Sequence, residues 1–337
     1  MFKTAKARAS GQGPRILVVR LGSMGDVIHT LPAVATLKHS FPGSLLSWLV
    51  QPRWIPLLEG NPYVDRLIPF DRRGLGSWGE TWRLLRSLRY EFAVDFQGLA
   101  QSALIASLSR SDRIYGFHRT QVREKVAAAF YSNEVRTAPG HVVDSNLELA
   151  AATGASTMLV TFPLPAGAPE GDLPGGEFVL SNPLAGWAGK QWPLDFYRLL
   201  ARRLNEELGV ALVLNGPPAA AAQLAHVDGA FVHASGLAGL IHATRRAAVV
   251  LGLDSGPTHL AAALEKPGVA IFGPTDPVRN GPYGDSFTVL RWPDSATTYK
   301  RRPEPDASML KITPDAVFEA LKARLQPKGR PAGCGAE

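Results

Sequence analysis

Seven short apolar runs punctuate the chain, at residues 16–19, 46–50, 92–96, 178–181, 210–214, 249–253 and 269–272. They are rich in Val, Leu, Ile and Phe, and they are continuous rather than alternating. That is the pattern of strands buried on both faces. Between them, apolar positions recur at helical spacing in 31–39, 100–108, 144–152, 194–207 and 236–244. A last amphipathic stretch, 313–325, opens on Thr313-Pro314, a helix-start signal. Strand–helix alternation of this kind predicts α/β architecture: parallel sheets with helices on both faces.

Residues 161–177 interrupt the alternation, and eight of these seventeen are Pro or Gly, as in a linker. The linker separates two similar halves, each opening with a strand. The expected domains are 14–165 and 177–326, with 1–13 and 327–337 as disordered tails. Two doubly wound, Rossmann-like domains facing one another would present the carboxyl ends of their strands to a central cleft, where such sheets bind ligands.

The 337 residues, 45% hydrophobic and 19% charged, suit two globular domains. A lone cysteine, Cys334, allows no disulfide framework or cysteine metal site within one chain and suits a reducing cytoplasm. No apolar run approaches the ~20 residues that span a bilayer, and the run at 16–19 is too short for a signal-peptide core. The net charge of +7 asks for an anionic partner. Its sources are uneven: Arg72, Arg73, Arg83, Arg86, Arg89, Arg110, Arg113, Arg119, Arg123 and Lys125 all fall in the first half. No aromatic-interleaved basic stripe accompanies them, so nucleic acid is not the expected partner.

Three segments carry chemistry. After the strand at 249–253 come Asp254, Ser255, Gly256 and Thr258, and a helix follows. Backbone N–H groups and a helix dipole would there converge on one spot, a place for a diphosphate. The same residues also make an ordinary βα turn capped by Asp254 or Ser255. The first strand runs into Arg20-Leu-Gly-Ser-Met-Gly-Asp26, where Gly22 and Gly25 bracket a strand-to-helix turn. This is neither a dinucleotide fingerprint nor a P-loop. Asp26 reads either as an N-cap or as a general base. A helix N-terminus stabilises a carboxylate and weakens it as a base, so the second role calls for desolvation in a closed site. His29 would share its helix face, as an orienting or merely polar residue. The third segment, after 178–181, holds Gly186, Trp187, Gly189, Lys190 and Trp192. Its single charge, Lys190, could neutralise a leaving phosphate. The chain has no Asp-x-Asp, and its eight histidines do not cluster at metal-ligand spacing. Neither a metal nor another cofactor is expected.

Taken together the motifs resemble the bacterial lipopolysaccharide heptosyltransferases. Ser23-Met-Gly-Asp-Val27 with Thr30-Leu-Pro32 is similar to that family's first motif. Asp95-Phe-Gln-Gly-Leu-Ala-Gln-Ser102 matches its D-x-Q-G-L-x-x-S, and Arg123-Glu to Phe130-Tyr131 resembles a stretch of the Kdo-directed members. Lys190-Gln-Trp-Pro193, the segment from Asp254 to Ala263, and Phe272-Gly-Pro-Thr-Asp-Pro277 follow in family order. The resemblance implies a GT-B fold and an inverting, metal-independent transfer. Asp26 would be the base and Lys190 the contact to the donor phosphates. Asp254, Ser255, Gly256, Thr258, His259 and Asn215 would bind the donor, ADP-L-glycero-D-manno-heptose. Ser23, Met24, Gly25, Gln97, Arg119 and Arg123 would bind the acceptor, a Kdo sugar on lipid A. A cytoplasmic enzyme peripheral at the inner face of the plasma membrane is implied. One departure stands out: family members place an acidic residue for the ribose after the strand at 210–214, where this chain has Asn215-Gly-Pro-Pro-Ala-Ala. Two alternatives follow, a glycosyltransferase with another nucleotide sugar or acceptor and a non-catalytic sugar-nucleotide-binding protein.

Overall fold

A computed structural model describes residues 13–71, 75–298, 300 and 303–325. The chain divides into two compact units, Met1–Pro165 and Ala166–Glu337. The first carries strands β1 (Arg15–Val19), β2 (Leu45–Val50), β3 (Arg66–Pro69), β4 (Tyr90–Asp95), β5 (Ser111–Phe117) and β6 (Asn133–Val135). Its helices are α1 (Met24–Ser40), α2 (Leu75–Arg86), α3 (Ala100–Leu108) and α4 (Val142–Ala151). All strands are parallel, in the order β3-β2-β1-β4-β5-β6. Parallel crossovers are right-handed, so reversing the direction of travel after β3 puts α2 and α3 on the face opposite α1. Leu85 of α2 and Ile105 of α3 accordingly share one buried cluster with Leu17, Val19 and Ile68.

The second unit carries β7 (Phe178–Ser181), β8 (Ala211–Gly216), β9 (Ala230–Ala234), β10 (Val249–Leu253), β11 (Gly268–Phe272) and β12 (Phe287–Arg291). The helices are α5 (Leu194–Leu208), α6 (Ala221–Leu224), α7 (Leu237–Arg246), α8 (Gly256–Ala263), α9 (Pro277–Asn280), α10 (Ala307–Leu310) and α11 (Pro314–Leu325). The parallel order β12-β11-β10-β7-β8-β9 is, counted from its own first strand, the order of the first unit. Each unit is therefore a doubly wound Rossmann-like sheet, the pair that makes up the GT-B type. In each, strand order reverses between the first and fourth strands, β1/β4 and β7/β10. That reversal opens a crevice at their carboxyl ends.

All seven expected strands are present, and five more join them. β3, β6, β9 and β12 are the four sheet edges, and β5 lies beside one. Edge strands need no continuous apolar run, and these carry Arg66, Glu134, His233 and Arg291. Helix α1 begins at Met24, well before the apolar periodicity starts at Leu31, because Ser23 and Asp26 form a capping box at its N-terminus. Of the expected tails, residues 1–12 and 327–337 lie outside the described residues, while the Gly13 N–H donates to Gly43 O at 3.2 Å. No helix among the described residues is long and apolar enough to cross a membrane.

Candidate active site

At the first reversal point, β1 ends at Val19 and the chain turns through Arg20, Leu21, Gly22 and Ser23 into α1. The N-cap is Ser23 and not Asp26. Asp26 occupies the third helical position, where its Oδ2 accepts the Ser23 N–H at 2.8 Å and the Ser23 hydroxyl at 3.2 Å. Its Oδ1 lies 2.5 Å from Nη2 of Arg20, a buried guanidinium whose Nη1 donates to the Phe96 carbonyl. The Asp26 side chain keeps 26% of its surface exposed, so the ion pair leaves part of the carboxylate accessible. Burial alone would raise its pKa. Arg20, the Ser23 N–H, the more distant Arg123 charge and the Ser23 hydroxyl outweigh that and lower it. The group is thus held ionised.

The loop after β4 braces this turn. Gln97 Oε1 accepts the N–H groups of Leu21 at 3.0 Å and Gly22 at 3.3 Å. Gln97 is in turn fixed by Asp95, whose Oδ1 accepts the Gln97 N–H at 2.9 Å. The other oxygen, Oδ2, accepts the hydroxyls of Ser102 and Tyr131, each at 2.8 Å. Asp95 is fully buried, and burial raises its pKa against the opposing pull of these donors. Gly22 has φ +152°, and a Cβ there would stand 2.5 Å from Trp54 Nε1, so the backbone passes against the indole where a side chain has no room.

The residues expected to meet an acceptor divide. Ser23 is exposed and Arg123 projects to solvent, its charge felt at Asp26. Gly25 and Met24 are buried in the first turn of α1. Gln97 is buried and its carbonyl oxygen serves the backbone, and Arg119 pairs with Glu134 at 3.5 Å. His29 is packed inside, its ring edge-on to His141 at 5.3 Å. Arg72 and Arg73 lie outside the described residues.

The second reversal point is built alike. Trp192, fully buried, donates its indole N–H to the Ile312 carbonyl at 2.8 Å and anchors the loop after β7. Lys190, in a tight helical turn, projects its Nζ to 2.5 Å from Asp254 Oδ2 at the end of β10 and lies 4.2 Å from the Trp187 ring centroid. His259 Nε2 lies 4.0 Å from Asp254 Oδ1. Two hydroxyls from the family motifs, Ser255 Oγ and Thr275 Oγ1, are buried without a hydrogen-bond partner among the described residues. The notion of several free amides from Ser255 to Thr258 needs correction. Pro257 has no N–H, and the Thr258 N–H donates to Ser255 O at 3.1 Å, which leaves the amides of Ser255 and Gly256 at the start of α8.

Thr258 itself turns inward. Its hydroxyl donates to Leu253 O, and a Cβ on Gly252 would meet Thr258 Oγ1 at 2.2 Å. It locks α8 onto β10, with its side chain buried. Asn215 is likewise engaged at both ends of its amide. Nδ2 donates to His233 O at 3.0 Å and Ser235 Oγ at 2.7 Å, and Oδ1 accepts Asn182 Nδ2 at 2.8 Å. It ties β8 to β9 and to the loop after β7. Among the described residues no group of three or more His, Cys, Asp or Glu gathers as a metal site would require.

Comparison with known proteins agrees with this geometry. Lipopolysaccharide heptosyltransferase 1 of Pseudomonas aeruginosa is 29% identical over 301 residues, covering 82% of this chain and 83% of the relative. The structure of E. coli heptosyltransferase WaaC with ADP superposes with a TM-score of 0.74 at 25% identity, covering 92% of this chain and 99% of that one. The same enzyme with ADP-2-deoxy-2-fluoro heptose gives 0.73 at 26%, with the same coverage. The family model of glycosyltransferase family 9 (heptosyltransferase) matches residues 78–308, more than half of the sequence. The chain belongs to glycosyltransferase family 9, the heptosyltransferases.

Proposed function

We propose that this enzyme transfers heptose from ADP-L-glycero-D-manno-heptose to a Kdo sugar of the lipopolysaccharide inner core, with inversion and without a metal. The observation that carries the reading is the pairing of roles at two equivalent crevices. One presents an ionised, part-exposed carboxylate, Asp26; the other presents a cation, Lys190, among buried hydroxyls. The relative solved with ADP and with a fluorinated ADP-heptose supports the donor class.

In the proposed step, the acceptor hydroxyl oxygen attacks the anomeric carbon from the face opposite the leaving group. The new C–O bond forms as the bond from that carbon to the β-phosphate oxygen breaks. The proton passes to Asp26, and ADP departs with the electron pair. Lys190 exchanges its Asp254 partner for the diphosphate, whose growing charge it offsets, and the Gly256 N–H with the α8 dipole adds to that. Asp26 is a weak base, so its use rests on orientation and on desolvation once substrate covers it.

Arg123, exposed near Asp26, suits an acceptor that carries a carboxylate and phosphates, and a lipid-linked acceptor brings the protein to the inner face of the plasma membrane. A second reading, another nucleotide sugar, is favoured by one feature. Asn215 stands where a ribose-binding carboxylate is expected, and its amide is already engaged.

The test is transfer to Kdo-lipid A in EDTA, with ADP-heptose beside a panel of other nucleotide sugars, for wild type and Asp26→Ala. Transfer from ADP-heptose that falls on the order of 10²–10⁴-fold in the variant is the expected result. A folded Asp26→Ala protein with near-normal turnover overturns the base. Transfer from a different nucleotide sugar alone overturns the donor.

A further inference from the structure

Helix α2 shows no apolar run in the sequence, yet it displays two large aromatic side chains to solvent. Trp78 and Trp82, one turn apart, are 39% and 38% exposed. On the neighbouring α3, Leu104 and Leu108, again one turn apart, are 40% and 39% exposed. The two helices lie on the same face of the first sheet. Between them is a small apolar hollow of about 40 Å³, open to solvent and walled by Phe70, Trp78, Trp82, Leu85, Ile105 and Leu108. Among the described lining residues Thr81 carries a hydroxyl, which donates to Pro69 O at 2.8 Å. The described lining is therefore overwhelmingly apolar.

Arginines outnumber acids around it: Glu80 is the one carboxylate of α2, against two arginines. Arg83 and Arg86 are exposed on α2, and the Arg86 guanidinium lies 4.8 Å from the Trp82 ring centroid. Neither has an acidic partner among the described residues, whereas Arg202 and Arg203 of α5 pair with Glu206 and Glu207 on their own helix. Helix α3 has no charged residue, and exposed Arg110 follows it. Indoles and leucines beside unneutralised arginines match the headgroup zone of an anionic bilayer. Tryptophan rings settle there, apolar side chains reach the acyl boundary, and arginines meet phosphates.

We propose that the α2–α3 face docks this protein on an anionic phospholipid surface, with Trp78, Trp82, Leu104 and Leu108 entering the interface and Arg83 and Arg86 on lipid phosphates. The inference rests on the reading of a lipid-linked acceptor only for its purpose. Its test uses vesicles that contain no acceptor, so either idea can fail alone.

Full-length protein is sedimented with phosphatidylcholine vesicles, with and without phosphatidylglycerol, at low and high salt. Wild type should sediment with the anionic vesicles only and be released by salt. Leu104→Ser/Leu108→Ser should weaken binding about tenfold or more. Arg83→Glu/Arg86→Glu, confined to exposed positions that do not bear on folding, should do the same. Both variants should keep wild-type transfer to an acyl-free sugar acceptor. Three results would overturn the assignment: no vesicle binding by wild type, variants that bind as wild type does, or a concentration-dependent self-association that the leucine variant abolishes while vesicle binding is absent.

Discussion

The two crevices share a plan and differ in how their polar groups are committed. At β1/β4, Asp26 and Arg20 are only six residues apart, and the turn between them is braced by Gln97 and, behind it, Asp95. At β7/β10, Lys190 and Asp254 come from loops distant in sequence, with the Ser255 and Thr275 hydroxyls buried and without hydrogen-bond partners among the described residues. The first arrangement fixes the place and charge of one carboxylate. The second holds a cation against an anion that a diphosphate can replace. One strand order thus carries a fixed carboxylate in one unit and a paired lysine in the other, because the loops after the first and fourth strands bring different residues to the crevice.

Changes at each crevice should separate these roles. After Asp26→Ala, the largest effect is expected at Lys190. Lys190→Ala should lower kcat/KM for transfer by about 10²–10³-fold, since the charge developing on the diphosphate loses its cation. Steady-state kinetics with varied donor checks this, and a loss confined to acceptor KM would break the comparison. Next comes Gln97→Ala, which leaves the Leu21 and Gly22 amides without their acceptor. A loss of about 1–3 kcal/mol in unfolding free energy is expected, with kcat falling more than acceptor KM rises. Denaturant unfolding beside kinetics checks it. Unchanged stability with a raised acceptor KM would instead mark Gln97 as a direct acceptor contact.

A smaller, more specific effect concerns pH. The native carboxyl of Asp26 titrates below its ordinary value, so its contribution to stability is present above the usual carboxylate range and is lost as pH falls through the lowered native pKa. The acid limb of kcat/KM should follow the same group. Arg20→Gln removes the main charge that lowers Asp26, so that limb should move to higher pH. An unmoved limb, or one moved to lower pH, would show that Arg20 does not set the ionisation of the base.

The sequence revealed the central strands and much of both crevices, for physical reasons. Strands buried on both faces must be continuous in Val, Leu and Ile, and glycines and carboxylates at strand ends mark turns where function sits. The edge strands β3, β6, β9 and β12 were hidden because one side meets solvent and tolerates charge. Helix α2 was hidden because its exposed tryptophans and arginines give no inward apolar stripe strong enough to read. Within the sites, Asp26, Lys190 and Asp254 were visible as lone charges in glycine-rich turns. The brace by Gln97 was not, because its partners are backbone amides 75 and 76 residues away. Thr258 and Asn215 were expected at the donor because they fall at positions of the family's motifs. Their hydrogen bonds turn out to close the fold instead.

The division of labour is tested most directly by titrating ADP into wild type, Asp26→Ala and Lys190→Ala, with folding of each checked by its unfolding transition. The account predicts that Asp26→Ala binds ADP as wild type does while Lys190→Ala binds at least about tenfold more weakly, a difference of about 1.4 kcal/mol. A folded Asp26→Ala protein that loses ADP affinity, or a Lys190→Ala protein that keeps it, would contradict the account.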